Sequence, residues 1–145
     1  MELLPGLRKG SESTIPGVNP SDDCNKRLES TGVDLKNTPP YAAEPYDGII
    51  LAALAAQKGG SADGKTIQAN MAAVSGADGG EKCDSYKACL ALLKDGKDIQ
   101  YQGQTGIGPF NKNNDPSSAN IGVYTFDSDN KPVFAHTHSG DVPND

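Results

Sequence analysis

The chain of 145 residues has the length of one domain, with room for a single core. Its 13 basic and 19 acidic residues leave a formal charge of −6, and the basic ones are scattered, so nucleic acid and anionic membrane surfaces are not expected partners. The longest apolar run, Ile49 to Ala56, is eight residues, far short of the ~20 that a bilayer-spanning helix needs.

The amino terminus, "MELLPGLRKGSEST", has Pro5 and no sustained apolar stretch, so no secretory signal is visible in it. Residues 1–40 form a turn-rich lead-in punctuated by Pro5, Pro16, Pro20, Pro39 and Pro40. Within it, "NPSDDCNKRLES" predicts one helix from Pro20 to Ser30, capped by Asn19, with Cys24 and Leu28 on its inner face.

Residues 41–97 form a helical segment. In "EPYDGIILAALAAQKGG" the spacing of Tyr46, Ile49, Ile50, Ala53, Leu54 and Gln57 predicts a buried, Ala-rich helix stopped by Lys58, Gly59 and Gly60. Asp63 is placed to cap a second helix with Ile67, Met71 and Val74 on one face, ended by "SGADGG". Asp84 or Ser85 caps a third, with Tyr86, Cys89, Leu90 and Leu93 inward and Lys94 and Gly96 closing it. Residues 98–145 change character. Their β-branched and aromatic runs, "IQYQGQTGIGPF", "IGVYTFD" and "PVFAHTH", are separated by "NKNNDPSSAN" and "DSDNK", which predicts two or three strands, the last two a hairpin.

Several strings invite chemistry. Gly59, Gly64, Lys65 and Thr66 satisfy GxxxxGK[ST], but that phosphate loop needs a buried strand before it, and here a helix is expected. Asp63 would also put a carboxylate where phosphates lie, so the stretch is read as a joint between two helices. "HTH" sets His136 and His138 on one face of a strand, but two ligands alone do not make a site, and exposed hairpin histidines are expected, with no metal. "DSDNK" begins like a calcium loop but has Lys131 at the third ligand position. No cysteine has a histidine neighbour and no serine lies in GxSxG, so no catalytic residue is assigned and an enzyme is not expected.

Cys83 and Cys89 frame "CDSYKAC". On one helix they would diverge too far to bridge, whereas with Cys83 in the preceding loop they can meet. Spacing leaves a disulfide and two free thiols equally open.

The run "YAAEPYDGIILAALAAQKGGSADGKTIQANMAAV" resembles the carboxy-terminal part of type I solute-binding proteins, the branched-chain amino acid family serving ABC importers. That family has an aromatic residue, a small-residue stretch, "YDA" opening an Ala- and Leu-rich helix, a Gly-rich turn with "DG" and a second amphipathic helix; Tyr46 to Gly48 give "YDG" here. The likeness continues through "CDSYKACLALLKDGKDIQYQGQTGIGPFNKNNDPSSANIGVYTFDSDNKPVF", which is similar to the actinobacterial branch, with Thr105 where Ser is common and Asn114 where Gly is common. It covers about residues 40 to 135, and "GVNPSDDCNKRLES" fits the helix preceding it.

The resemblance implies an α/β fold, here a carboxy-terminal fragment of a type I periplasmic-binding-protein-like fold with three to four helices followed by a β-hairpin. It implies part of an extracytoplasmic solute receptor, periplasmic or a lipid-anchored lipoprotein, which closes on a small amino acid-like solute and delivers it to an ABC transporter permease without cofactors. It also implies oxidising surroundings and hence a Cys83–Cys89 disulfide, with Cys24 unpaired or bonded to a segment absent here. Family members are more than twice as long, and the missing half carries most ligand contacts. Carried over residue by residue, Tyr41 matches the aromatic that lines the side-chain pocket, and Glu44, on the same connection, is placed to face a ligand cation. The alternatives are a secreted protein–protein interaction module without solute binding, and a nucleotide-dependent enzyme using Gly59 to Thr66. A fragment would expose strand edges, which favours self-association.

Overall fold

Three side chains open three of the helices. In the computed structural model, which describes residues 4–34, 41–106 and 108–142, the Ser21 hydroxyl accepts from the Cys24 N–H, the Asp63 carboxylate from that of Thr66, and the Ser85 hydroxyl from that of Ala88. Each gives a partner to a donor that a first helical turn leaves unpaired. The helices are α1 (Asp22–Ser30), α2 (Ala43–Gly59), α3 (Gly64–Ser75) and α4 (Tyr86–Lys94). The first starts two residues later than expected because Ser21, not Asn19, is its cap. Gly60 at φ 75° and Gly76 at φ 99° end α2 and α3 in the left-handed conformation that glycine adopts without a Cβ penalty. The turn expected at Pro39 and Pro40 lies outside the described residues.

Five strands join these helices: β1 (Glu12–Pro16), β2 (Glu81–Cys83), β3 (Ile99–Tyr101), β4 (Ser118–Phe126) and β5 (Pro132–Asp141). β4 is the middle of an antiparallel sheet ordered β1-β4-β5, and β2 pairs in parallel with β3. The described residues thus form a mixed α/β fold of four helices and two small sheets, with the expected β4–β5 hairpin at the end. Its turn is held by Asp127, whose Oδ1 accepts from the Asp129 and Lys131 N–H groups, and Asn130 takes the positive φ of 61°.

Two strands were not foreseen. β1 lies in the lead-in read as turns, and its "ESTIP" is too short to declare itself; its partners on β4 are more than a hundred residues away, from Glu12 beside Thr125 to Pro16 beside Ile121. β2 occupies what was read as the loop before α4, and it forms only by pairing with β3 across the α4 crossover. β1 thus pairs with β4, and β2 with β3, across long stretches of sequence.

Cys83 is the last residue of β2 and Cys89 lies inside α4; their Cα atoms are 5.3 Å apart and the disulfide is formed. It ties strand to helix at the edge of a core built on Leu54, Val74, Cys89 and Ile99, the largest fully buried side chains. Burying one such aliphatic side chain contributes roughly 1.5–3 kcal/mol.

The inward face of α2 differs from expectation. Ala43, Asp47, Leu51, Leu54 and Ala55 are buried, while Tyr46 is 37% and Ile49 70% exposed. An Ala-rich helix is apolar nearly all round, so its own periodicity fixes its rotation weakly. Asp47 decides it, because the donors that satisfy this carboxylate lie inside.

Candidate functional site

Asp47 is 5% exposed and accepts four hydrogen bonds. Its Oδ1 takes the Tyr101 hydroxyl at 2.9 Å and the Gln104 N–H at 3.0 Å; its Oδ2 takes the Thr105 N–H and hydroxyl, both at 2.8 Å. A buried carboxylate is tolerated only when so satisfied. The arrangement pins the loop after β3 against the first half of α2. Gly103 is required there, since a Cβ would run into the Asp47 carboxylate. Burial, reinforced by the bond to Asp47, pushes the Tyr101 hydroxyl well above its ordinary pKa of 10.0.

One turn earlier on α2 stands Glu44. Its Oε1 accepts from the Val18 N–H at 2.9 Å, fastening the chain that leaves β1. That chain approaches closely because Gly17, at φ 108°, has no Cβ to strike the Glu44 carboxylate. Glu44 Oε2 is buried and has no hydrogen-bond partner among the described residues. A carboxylate oxygen in that state is short of a donor, and the cost of leaving it so is what a cationic or N–H-bearing ligand would relieve.

The space that Glu44 borders is a cleft of about 220 Å³ between the end of β1, the start of α2, the Asp47-pinned loop and the start of β4. Tyr41, 48% exposed, lines it together with Val18, Thr105, Pro116 and Asn120. A smaller, mainly apolar cavity of about 110 Å³ shares Glu44 and Thr105 and reaches Leu51, Tyr101 and Phe110. Asn120 joins the cleft's walls: its amide donates to the Thr105 carbonyl at 2.8 Å, its Oδ1 accepts from the Ser139 hydroxyl at 2.6 Å, and its carbonyl accepts from the Gly17 N–H at 2.8 Å.

The structure thus brings Tyr41 and Glu44 to one cleft and adds Thr105 and Asn120. No sequence signal marked Asn120. Asp47 carried one, being an acid within a helix otherwise rich in Ala, Ile and Leu. No family model matches the chain, and no curated protein or solved structure matches it.

The other chemical strings take these places. Gly59 ends α2, Asp63 caps α3, and Lys65 and Thr66 lie in its first turn, so the GxxxxGK[ST] string is the joint between two helices. The Asp63 carboxylate accepts from the Thr66 N–H and hydroxyl and the Ser61 hydroxyl. These bonds, that from the Thr66 hydroxyl foremost, hold its pKa down at about 2, and the anion fills the helix N-terminus itself. Cys24 is buried beside a cavity of about 170 Å³ lined by Arg27, Leu28 and Tyr46, and burial pushes its thiol up, away from the reactive thiolate. His136 and His138 stand exposed on β5. No helix among the described residues is long and apolar enough to cross a membrane.

Proposed function

We propose that the chain is part of an extracytoplasmic solute receptor of the type I periplasmic-binding-protein kind, which binds a small amino acid-like molecule and delivers it to an ABC importer. The observation that carries the reading is Glu44, which lines one cleft with Tyr41 and whose buried Oε2 has no hydrogen-bond partner among the described residues. A primary ammonium group on the solute supplies the missing donor, and the Tyr41 ring gives its apolar part a face to lie against. Supporting it further are the ordered motifs from Tyr41 to Phe134 and the Cys83–Cys89 disulfide, which is compatible with an oxidising compartment. Such a receptor makes and breaks no bonds; it closes around the solute.

The test is a thermal-shift screen of amino acids against analogues lacking the amine. A binder raises the melting temperature with concentration by mass action. Amine-bearing solutes shift the parent chain, Glu44→Gln loses the shift, and Tyr41→Ala weakens it. Equal shifts with amine-free analogues, or none with any solute in a receptor carrying both lobes, would overturn the reading.

A second reading is favoured by β5, which is exposed at every residue from Pro132 to Asp141. Such an edge is a template for pairing with another chain, as in a secreted interaction module. It predicts association without any solute response, seen as a concentration-dependent mass by light scattering and abolished by Val133→Lys.

A further inference from the structure

Alternation on β5 puts His136 and His138 on the same face, opposite Val123 and Ile121 of β4. Sharing a face does not by itself make two imidazoles converge. Here they do converge: the two Nε2 atoms are 3.1 Å apart. The register slips immediately before His136, where Ala135 is left without a partner between Phe134 beside Tyr124 and His136 beside Val123. Such a bulge re-aims the next side chain. The strand is anchored on both sides of the slip, by the Tyr124–Phe134 edge-to-face contact and by the Ser139–Asn120 hydrogen bond.

We propose that His136 and His138 are a bidentate site for a first-row transition-metal ion of the copper, nickel and zinc group. Metal–imidazole bonds are about 2.0–2.1 Å, so an ion bound to both nitrogens would subtend an N–metal–N angle of roughly 100°, between the square and tetrahedral values. The ring centroids are 4.8 Å apart with the planes at 80°. That is closer than two rings aligned end to end across a 3.1 Å gap would lie, so the ring axes are inclined to the N–N line. In the ion-free chain one Nε2–H donates to the other Nε2, and an ion bound there replaces that proton and takes both lone pairs. No group of three or more His, Cys, Asp or Glu gathers around an ion site among the described residues. Water or an outside donor would complete the shell, making the site open and exchangeable, with affinities in the order copper above nickel and zinc. It is independent of the Glu44 cleft and stands whether or not that cleft takes a solute.

The test uses the chain without a histidine tag, titrated with Cu²⁺, Ni²⁺ and Zn²⁺ against a competing chelator. One ion per chain is expected, with two imidazole nitrogens in the electron paramagnetic resonance spectrum of the Cu²⁺ form. Because the second ligand binds intramolecularly, His136→Ala and His138→Ala should each weaken Cu²⁺ by at least about tenfold. Both side chains are exposed, and unchanged circular dichroism verifies folding. Single variants within about threefold of the parent would mean two independent histidines and overturn the proposal; so would one nitrogen in the Cu²⁺ spectrum, or no binding.

Discussion

The Tyr101 hydroxyl, at the end of β3, donates to Asp47 Oδ1 on α2 across 2.9 Å, joining residues 54 apart in the chain inside the protein. The same carboxylate holds Gln104 and Thr105, so one acid fixes the rotation of α2 and the floor of the cleft. Asp47→Ala strands those buried donors and should cost about 3 kcal/mol or more, while Tyr101→Phe should cost about 1.5–3 kcal/mol. Urea unfolding curves measure both. A loss under about 0.5 kcal/mol for Asp47→Ala would show that the loop is held by something else.

Alkaline pH should unfold the protein partly through Tyr101. Its folded pKa lies above the ordinary 10.0, chiefly from burial. Above pH 10 the unfolded state therefore releases a proton that the folded state keeps, and stability falls as pH rises. Cys24, raised above 9.0, and Tyr124, raised above 10.0, both by burial first, act in the same direction. Urea midpoints from pH 8 to 11 should decline, and Tyr101→Phe should flatten the part above 10 without abolishing the rest.

Gly17→Ala tests the close approach at Glu44. A side chain there must adopt φ 108° and displace the Glu44 carboxylate, at a backbone cost of about 1–3 kcal/mol. A lowered melting temperature is expected, with loss of whatever solute response the parent shows. Gly48→Ala, where a Cβ would meet nothing within 4 Å, is the matched control and should be neutral or slightly stabilising.

Reduction of Cys83–Cys89 should cost the protein about 2 kcal/mol, the chain-entropy contribution of a small closed loop. Thermal melts with and without a thiol reductant measure this, and Cys83→Ser/Cys89→Ser should show no reductant effect. Thiol titration should find no fast-reacting group in the native chain and one, Cys24, on unfolding without reductant.

On the acid side, Asp63 contributes stability that is complete above its ordinary 3.8 and is lost as pH falls toward about 2. Asp63→Ala should lower the melting temperature at pH 6, and the gap to the parent should close across that window. Asp63→Asn, which keeps an N-capping oxygen, should recover much of the difference at pH 6.

Local chemistry was legible in the sequence: the helix cap at Asp63 and, down to a choice between Asp84 and Ser85, that of α4, stops at Gly60 and Gly76, the hairpin turn at Asp127 to Lys131, and the placing of Tyr41 and Glu44 beside one helix start. Those features depend on neighbours a few residues away, where propensity and side-chain-to-backbone bonding act directly. Spacing alone left the state of Cys83 and Cys89 open. Only the tertiary structure decided that β1 and β2 are strands, because each is three to five residues long and owes its form to a distant partner. It alone turned α2 inward on Asp47 rather than Tyr46 and Ile49, since an Ala-rich helix is nearly as apolar on one side as on another and the deciding donors come from residues 101 to 105. The bare Oε2 of Glu44 and the converging imidazoles of His136 and His138 belong to the same class, being consequences of backbone approach and of a one-residue slip in register that no local pattern encodes.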